Sequence, residues 1–214
     1  MRRIVQLLLA PTSRFARLMI AEKRLTCDPV NAEDPHAHLP AFSDLDGTRC
    51  EGIWPLVDHL EGNYPDHPLV PEDAEERRES FRILDWALGP FEETVTRRIV
   101  FEKGSPRYTG AMHKRAPDMN TVRLGRDALK PALEKIGSLA ELHGYLACRF
   151  CTLGDLAMAA ELSTLDYFGE VPWSDYPAAA EWYVRMKSRP SFRSLLADRV
   201  PGQPPVSHYA ELDA

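Results

Sequence analysis

At 214 residues, with 44% hydrophobic and 27% charged side chains, the chain has the composition of one large or two small globular domains. Its formal net charge of −6 argues against the basic face that general nucleic-acid binding requires. No apolar run approaches the ~18 residues of a membrane span, so a cytoplasmic protein is expected.

Met1–Ala10 joins a basic start to an apolar stretch, but the stretch is short and Ser13-Arg-Phe-Ala-Arg17 interrupts it. Arg3–Leu9 therefore predicts a first strand, buried on both faces, rather than a secretory leader. Ala10-Pro11-Thr12 turns the chain, and Ser13 predicts the N-cap of a helix running to Lys23. Thr26–Val30 predicts a stub of a second strand. Asn31–His38 is polar and aperiodic; His36 and His38 read as solvated loop residues, because two histidines without a third partner rarely hold a metal. Leu39–Ser43 predicts a strand entered through a proline, Asp44–Gly47 a hairpin turn and Thr48–Cys50 its partner. Ile53–Leu60 predicts a short helix that tolerates Pro55 in its first turn.

Residues 63–71 are proline-rich and form a linker; beyond them the pattern is helical, with no further strand expected. Glu72–Lys103 carries Phe81, Leu84, Leu88, Phe91, Val95 and Ile99 on one stripe, and Gly89-Pro90 predicts a kink. Gly104–Pro117 is a basic loop with Arg107, His113, Lys114 and Arg115. Asp118–His143 predicts a second long helix, kinked at Pro131. Thr152 and Asp155 stand at capping-box spacing, and Leu156, Ala157, Ala159 and Ala160 make the following helix apolar almost all round. A soluble chain buries such a helix at its centre. Cys151 is placed to staple onto Leu156. Pro177–Lys187 and Ser191–Ala197 predict the last helices, and the tail ends His208-Tyr-Ala-Glu-Leu-Asp-Ala214. Of the four cysteines, Cys148 and Cys151 form a Cys-x-x-Cys with only His143 nearby, far from the strand–helix junction of a redox dithiol. Neither a zinc site nor a redox site is predicted, and reduced thiols are expected.

The order of these elements resembles the glutathione S-transferase superfamily. Ala10-Pro-Thr-Ser-Arg-Phe-Ala-Arg17, Leu39-Pro40 at the family's cis-proline turn, Glu51-Gly-Ile53 and Tyr183–Phe192 carry the likeness. It implies a thioredoxin-like α/β domain at 1–62, a linker at 63–71, an all-helical domain at 72–199 and a tail at 200–214. A closer likeness, to the FzlA-like bacterial branch, rests on Ile83-Leu-Asp-Trp86, Phe101-Glu-Lys103, Ala116-Pro-Asp118, Leu165–Trp173, Arg189–Arg199 and His208–Asp213. That branch implies a non-catalytic partner of FtsZ filaments, working in the cytoplasm and at the division site, without a cofactor. Members of the superfamily commonly form homodimers, which would display two partner sites.

The resemblance also implies where a glutathione would sit. Free amides and the dipole favour a thiolate at the start of the first helix, and Ser13 is the candidate hydroxyl. A plain helix start is the alternative reading. Ala10 stands nearest to the cysteine of thiol-dependent members and carries no nucleophile. The backbone of Leu39 and Pro40, and Glu51 with Gly52 at the next helix start, would hold the rest in degenerate form, since Gly52 replaces the family's serine. Only thirteen residues, Thr26 to His38, lie where the family places a strand and a helix. Fully extended they span at most ~45 Å and cannot supply both elements with their turns, so a pocket wall is expected to be missing. Lys103, Arg107, Lys114 and Arg115 form a candidate docking patch for an acidic partner. Tyr209 and Leu212 are expected to anchor the tail and present Glu211 and Asp213. Three functions are compatible with these residues: an FtsZ-binding division regulator, a glutathione transferase conjugating small electrophiles through Ser13 with glutathione as its cosubstrate, and a transferase-fold adaptor.

Overall fold

The computed structural model describes residues 1–34, 38–111 and 116–211. Strand β1 (Arg2–Gln6), helix α1 (Pro11–Glu22) and strand β2 (Cys27–Asn31) form a βαβ unit, β1 and β2 pairing in parallel from Arg2↔Cys27 to Gln6↔Asn31. Parallel strands need a crossover, and α1 supplies it. Strand β3 (Ala41–Ser43) returns antiparallel to β1, and β4 (Arg49–Glu51) pairs antiparallel with β3, giving the order β2-β1-β3-β4. Helix α2 (Ile53–Asn63) closes this half. The hairpin turn is fastened by Asp44. Its Oδ1 accepts from Arg2 Nε at 2.9 Å and the Leu45 amide at 2.6 Å, and its Oδ2 faces His59 Nε2 at 2.7 Å and accepts from the Tyr64 hydroxyl at 2.5 Å.

One expectation changes here. The predicted stub at 26–30 is a full five-residue strand; Pro29 is tolerated because β2 is an edge strand, with a side that needs no donor. Between β2 and β3 the described residues contain no helix. The chain passes from one strand to the next through Ala32–Asp34 and His38–Pro40, and the Leu39–Pro40 peptide is cis.

Helix α3 (Ala74–Trp86) starts on Asp73, whose side chain accepts from the amides of Glu75 and Glu76. Gly89-Pro90 does not simply kink the continuation. Residues Ala87–Thr96 wind as a π-helix before α4 (Arg97–Lys103) resumes α geometry. Proline lacks an amide proton and crowds the carbonyl four residues back, and a wider turn relieves both without breaking the helix. The predicted basic loop contains one short helix, α5 (Pro106–Thr109), while His113, Lys114 and Arg115 lie outside the described residues. Helix α6 (Met119–His143) begins on Asp118, which accepts from the Asn120 amide at 2.9 Å.

Helix α7 (Leu153–Tyr167) is the centre of the molecule: all fifteen of its residues are buried. Asp155 accepts from the Thr152 amide at 2.9 Å and the Thr152 hydroxyl at 3.0 Å through one oxygen. Its other oxygen accepts from the Leu146 amide at 2.9 Å and Trp182 Nε1 at 3.0 Å. One carboxylate thus ties the start of α7 to the preceding loop and to α8 (Pro177–Lys187). Helix α9 (Arg193–Leu196) leads to the tail, where Ser207–Ala210 forms a single tight turn. Phe15 and Leu18 of α1 share one apolar cluster with Leu156, Met158 and Ala160 of α7, so the core runs unbroken from the sheet half into the helical half.

Candidate docking site at the domain junction

Pro11 is preorganised for the first helical position, which makes Ala10 the N-cap of α1 and moves Ser13 into the first turn. The N-cap expected at Ser13 is therefore corrected. Ser13 is fully buried, and its Oγ accepts from the Leu7 amide at 3.1 Å. Next to it, Leu7, Ala10 and Ala32 form a small apolar cluster with Leu39 packed on it. Pro40 and Gly52 come together, the Gly52 amide donating to the Pro40 carbonyl at 2.8 Å. Gly52 takes φ 86°, which only glycine adopts readily, and caps α2, while Glu51 is exposed beside Arg49 at 3.3 Å.

Arg14, adjacent to Ser13, is a residue whose role the sequence reading missed. Its side chain is fully buried at the junction of the two halves. It donates to the Leu8 carbonyl, the Ser163 hydroxyl and the Tyr209 hydroxyl, each at 2.9 Å, and lies 3.4 Å from Asp198. Arg17, one turn on, grips Asp198 in a bidentate pair at 2.8 and 3.0 Å. Strand end, first helix, central helix and tail therefore meet on two arginines and one aspartate. The available signal was the pair Arg14 and Arg17 on one face of α1.

Tyr209 anchors the tail as expected. It is fully buried, accepts from Arg14, donates to the Leu195 carbonyl at 3.0 Å and meets Tyr167 edge to face at 5.2 Å. Gln203 strengthens the attachment by donating to the Lys103 carbonyl at 2.7 Å and accepting from the Ser105 amide at 3.1 Å. Glu211 emerges exposed, while Leu212 and Asp213 lie outside the described residues.

The basic patch divides. Lys103 pairs with Glu170, which Arg126 also holds at 2.7 Å. Burial pushes the Glu170 carboxyl up, but Arg126 and Lys103 outweigh it and keep it below the usual carboxylate range. Arg107 is exposed beside the Tyr108 ring and has no carboxylate partner among the described residues; Lys114 and Arg115 lie outside them. Among the described residues no group of three His, Cys, Asp or Glu is placed to hold a metal ion, and no helix is long and apolar enough to cross a membrane. His36 lies outside them and His38 is exposed. Cys148 and Cys151 are both buried, and burial pushes both thiols up.

No family model matches the chain. FtsZ-localized protein A of Caulobacter vibrioides is 37% identical over 220 residues, covering 96% of this chain and 95% of that protein. The chain belongs to the FtsZ-localized protein A family. Among solved structures, FzlA from C. crescentus aligns with a TM-score of 0.93 at 35% identity, over 100% of this chain and 99% of that one. A glutathione S-transferase from Rhodospirillum rubrum F11 aligns with a TM-score of 0.92 at 35% identity over 100% of both chains. The fold of this family member is that of the glutathione S-transferases, with a small mixed sheet in the first half and a helical second half.

Proposed function

We propose that this protein is a non-catalytic division factor that associates with FtsZ polymer. The observation that carries this reading is its 37% identity to FtsZ-localized protein A over 96% of the chain. The geometry supports it. Ser13 has no exposure, and its Oγ already accepts from the Leu7 amide, with Leu7, Ala10 and Ala32 clustered nearby. A hydroxyl buried and engaged in this way is not presented to a thiolate arriving from solvent. The tail is fastened by Tyr209 while the acidic Glu211 is left outside, an arrangement suited to contact with a partner.

We also infer that two protomers pair. Trp54 is 48% exposed and stacks on Phe81 at 6.2 Å, an apolar surface spanning α2 and α3. Aromatic side chains of this kind anchor interfaces. The protein works in the cytoplasm at the division site and needs no cofactor. The second reading, a glutathione transferase acting on small electrophiles, is favoured by the equal likeness to the Rhodospirillum rubrum enzyme.

One pair of measurements separates the two. Sedimentation with FtsZ polymer should carry this protein into the pellet, and conjugation of glutathione to a chloronitrobenzene should be no faster than in buffer. Conjugation that disappears in Ser13→Ala, with FtsZ pelleting alone, would establish the enzyme instead.

A further inference from the structure

Glu161 sits in the middle of α7 with no exposure. Its Oε2 accepts from the Thr96 hydroxyl at 2.5 Å, and its Oε1 is buried without a hydrogen-bond partner among the described residues. Thr96 is the last residue of the π-helical segment. Pro90 accounts for the start of that winding, but the segment continues past it and ends where the Thr96 hydroxyl meets Glu161. The wider winding also brings residues five apart together. Glu92 and Arg97 use that spacing, pairing at 2.9 Å, with the Glu92 side chain only 12% exposed. Glu92 in turn opposes a charge on Glu161. Two carboxyl groups therefore bear on one place and share one arginine, which is 57% exposed and also lies over the Phe101 ring.

The charged groups on the other elements packed against α7 are engaged elsewhere. Arg14 of α1 bonds to Ser163, while Arg17 and Glu22 pair with Asp198 and Arg189. Helix α3 lays Ser80 and Ile83 against Gly154, and its Glu79 and Arg82 pair with each other. On α4, Arg98 lies beside Gly125, Glu102 accepts from the Asp118 amide and Lys103 pairs with Glu170. Lys187 and Tyr183 of α8 face Asp166. Ionised, Glu161 would be a carboxylate sealed from water, with one oxygen unpaired and a second carboxylate opposing it. Neutral, it forgoes a single hydrogen bond. The first penalty is the larger, because it includes the lost hydration of a charge. Burial and Glu92 push the Glu161 carboxyl well up, and the Thr96 bond and Arg97 offset this only in part.

We propose that Glu161 is a proton-binding site that governs the π-helical segment: it is neutral at pH 7, and its ionisation in alkaline solution releases Ala87–Thr96 from α7. The proton comes from water and returns to it, so no other reactant is needed. The folded protein holds this proton more strongly than the unfolded chain does. The stabilisation is therefore complete below the ordinary carboxylate range and is lost as pH rises toward the folded value. The site involves neither Ser13 nor the tail, so its failure leaves the division reading standing.

Infrared difference spectroscopy of the full-length protein at pH 7 should show a protonated-carboxyl band that Glu161→Gln removes, and alkali should erase that band in the parent. Glu92→Gln should lower the pH at which the band disappears. Arg97→Gln, which leaves Glu92 without its partner, should raise it. Between pH 6 and pH 9 the melting midpoint of the parent should fall by about 5 °C relative to Glu161→Gln. Over the same range the Ala87–Thr96 amides of the parent, corrected for intrinsic exchange, should lose about tenfold of their protection, and those of Glu161→Gln should not. If Glu161→Gln fails to fold, the parent's band and its displacement in the Glu92 and Arg97 variants decide the matter. Absence of the band at pH 7, a band whose disappearance neither surface variant moves, or a melting gap independent of pH overturns the proposal. So does protection over Ala87–Thr96 that alkali leaves unchanged in the parent.

Discussion

Asp44 shows how much a single side chain in this molecule does. Burial alone would raise its carboxyl. His59, the Tyr64 hydroxyl, the Leu45 amide and Arg2 outweigh it and bring the group down to about 2 from 3.8. The folded state thus holds the charged form more strongly than the unfolded chain does. That stabilisation is complete above the unfolded value and is lost as pH falls through the folded one. Asp44→Asn should cost roughly 2 kcal/mol at pH 7, and the difference from the parent should shrink between about pH 4 and pH 2. Urea melts across that range check it, and a gap independent of pH would mean the charge is not the cause. Arg14 teaches the complementary lesson about reading. On the helix wheel it is an ordinary arginine; only partners far along the chain, Ser163, Asp198 and Tyr209, reveal it as the buried tie between the two halves. Asp155 was legible because its capping partner stands three residues away, whereas Trp182, which shares its other oxygen, was not. Local chemistry could be read from spacing and distant chemistry could not.

At the scale of elements, periodicity placed α6, α7 and α8 within a residue or two, because each carries a cap or a proline at its start. The misses came where two rules compete. Pro29 and Asp28 hide an edge strand, and Pro90 converts an expected kink into a π-helical segment. Packing adds a constraint that no period shows. A Cβ on Gly154 would stand 2.9 Å from both the Ser80 carbonyl oxygen and Ile83 Cβ, so α7 approaches α3 closer than any side chain allows. Neither neighbour is a flexible tip that can swing away. Gly154→Ala should therefore destabilise by about 2 kcal/mol, despite the better helix propensity of alanine. For a chain of this length that is a fall of about 6 °C in the melting midpoint, readable by calorimetry. A variant that melts at or above the parent would show that α3 and α7 can separate freely.

For the whole molecule the question is whether the tail is scaffold or contact. The resemblance of the ending, His208-Tyr-Ala-Glu-Leu-Asp213, pointed to a partner, and the order of elements pointed to the fold. Which surface touches the partner was not legible, because surface charge is distributed by tertiary structure: Lys103 turned out to be neutralised by Glu170 while Arg107 faces a cavity. The structure divides the tail at Ala210. Residues up to Tyr209 are bonded into the core by Arg14, Leu195 and Tyr167, whereas Glu211 is exposed. Two truncations exploit the division. Ending the chain after Ala210 leaves Tyr209 in place and should shift the melting midpoint by no more than about 2 °C, as exposed residues contribute little. It should nevertheless lower the protein pelleted with FtsZ polymer by about tenfold, the loss expected of a rim of charged contacts worth about 1.4 kcal/mol. Ending it after Pro205 removes Tyr209, which takes one acceptor from the buried Arg14 and empties the aromatic slot against Tyr167, and should cost about 3 kcal/mol of stability. If the shorter truncation pellets with FtsZ as well as the parent does, the tail's last residues are not the contact. The docking surface must then be sought on the helical half, where Arg107 and the exposed face of α6 remain.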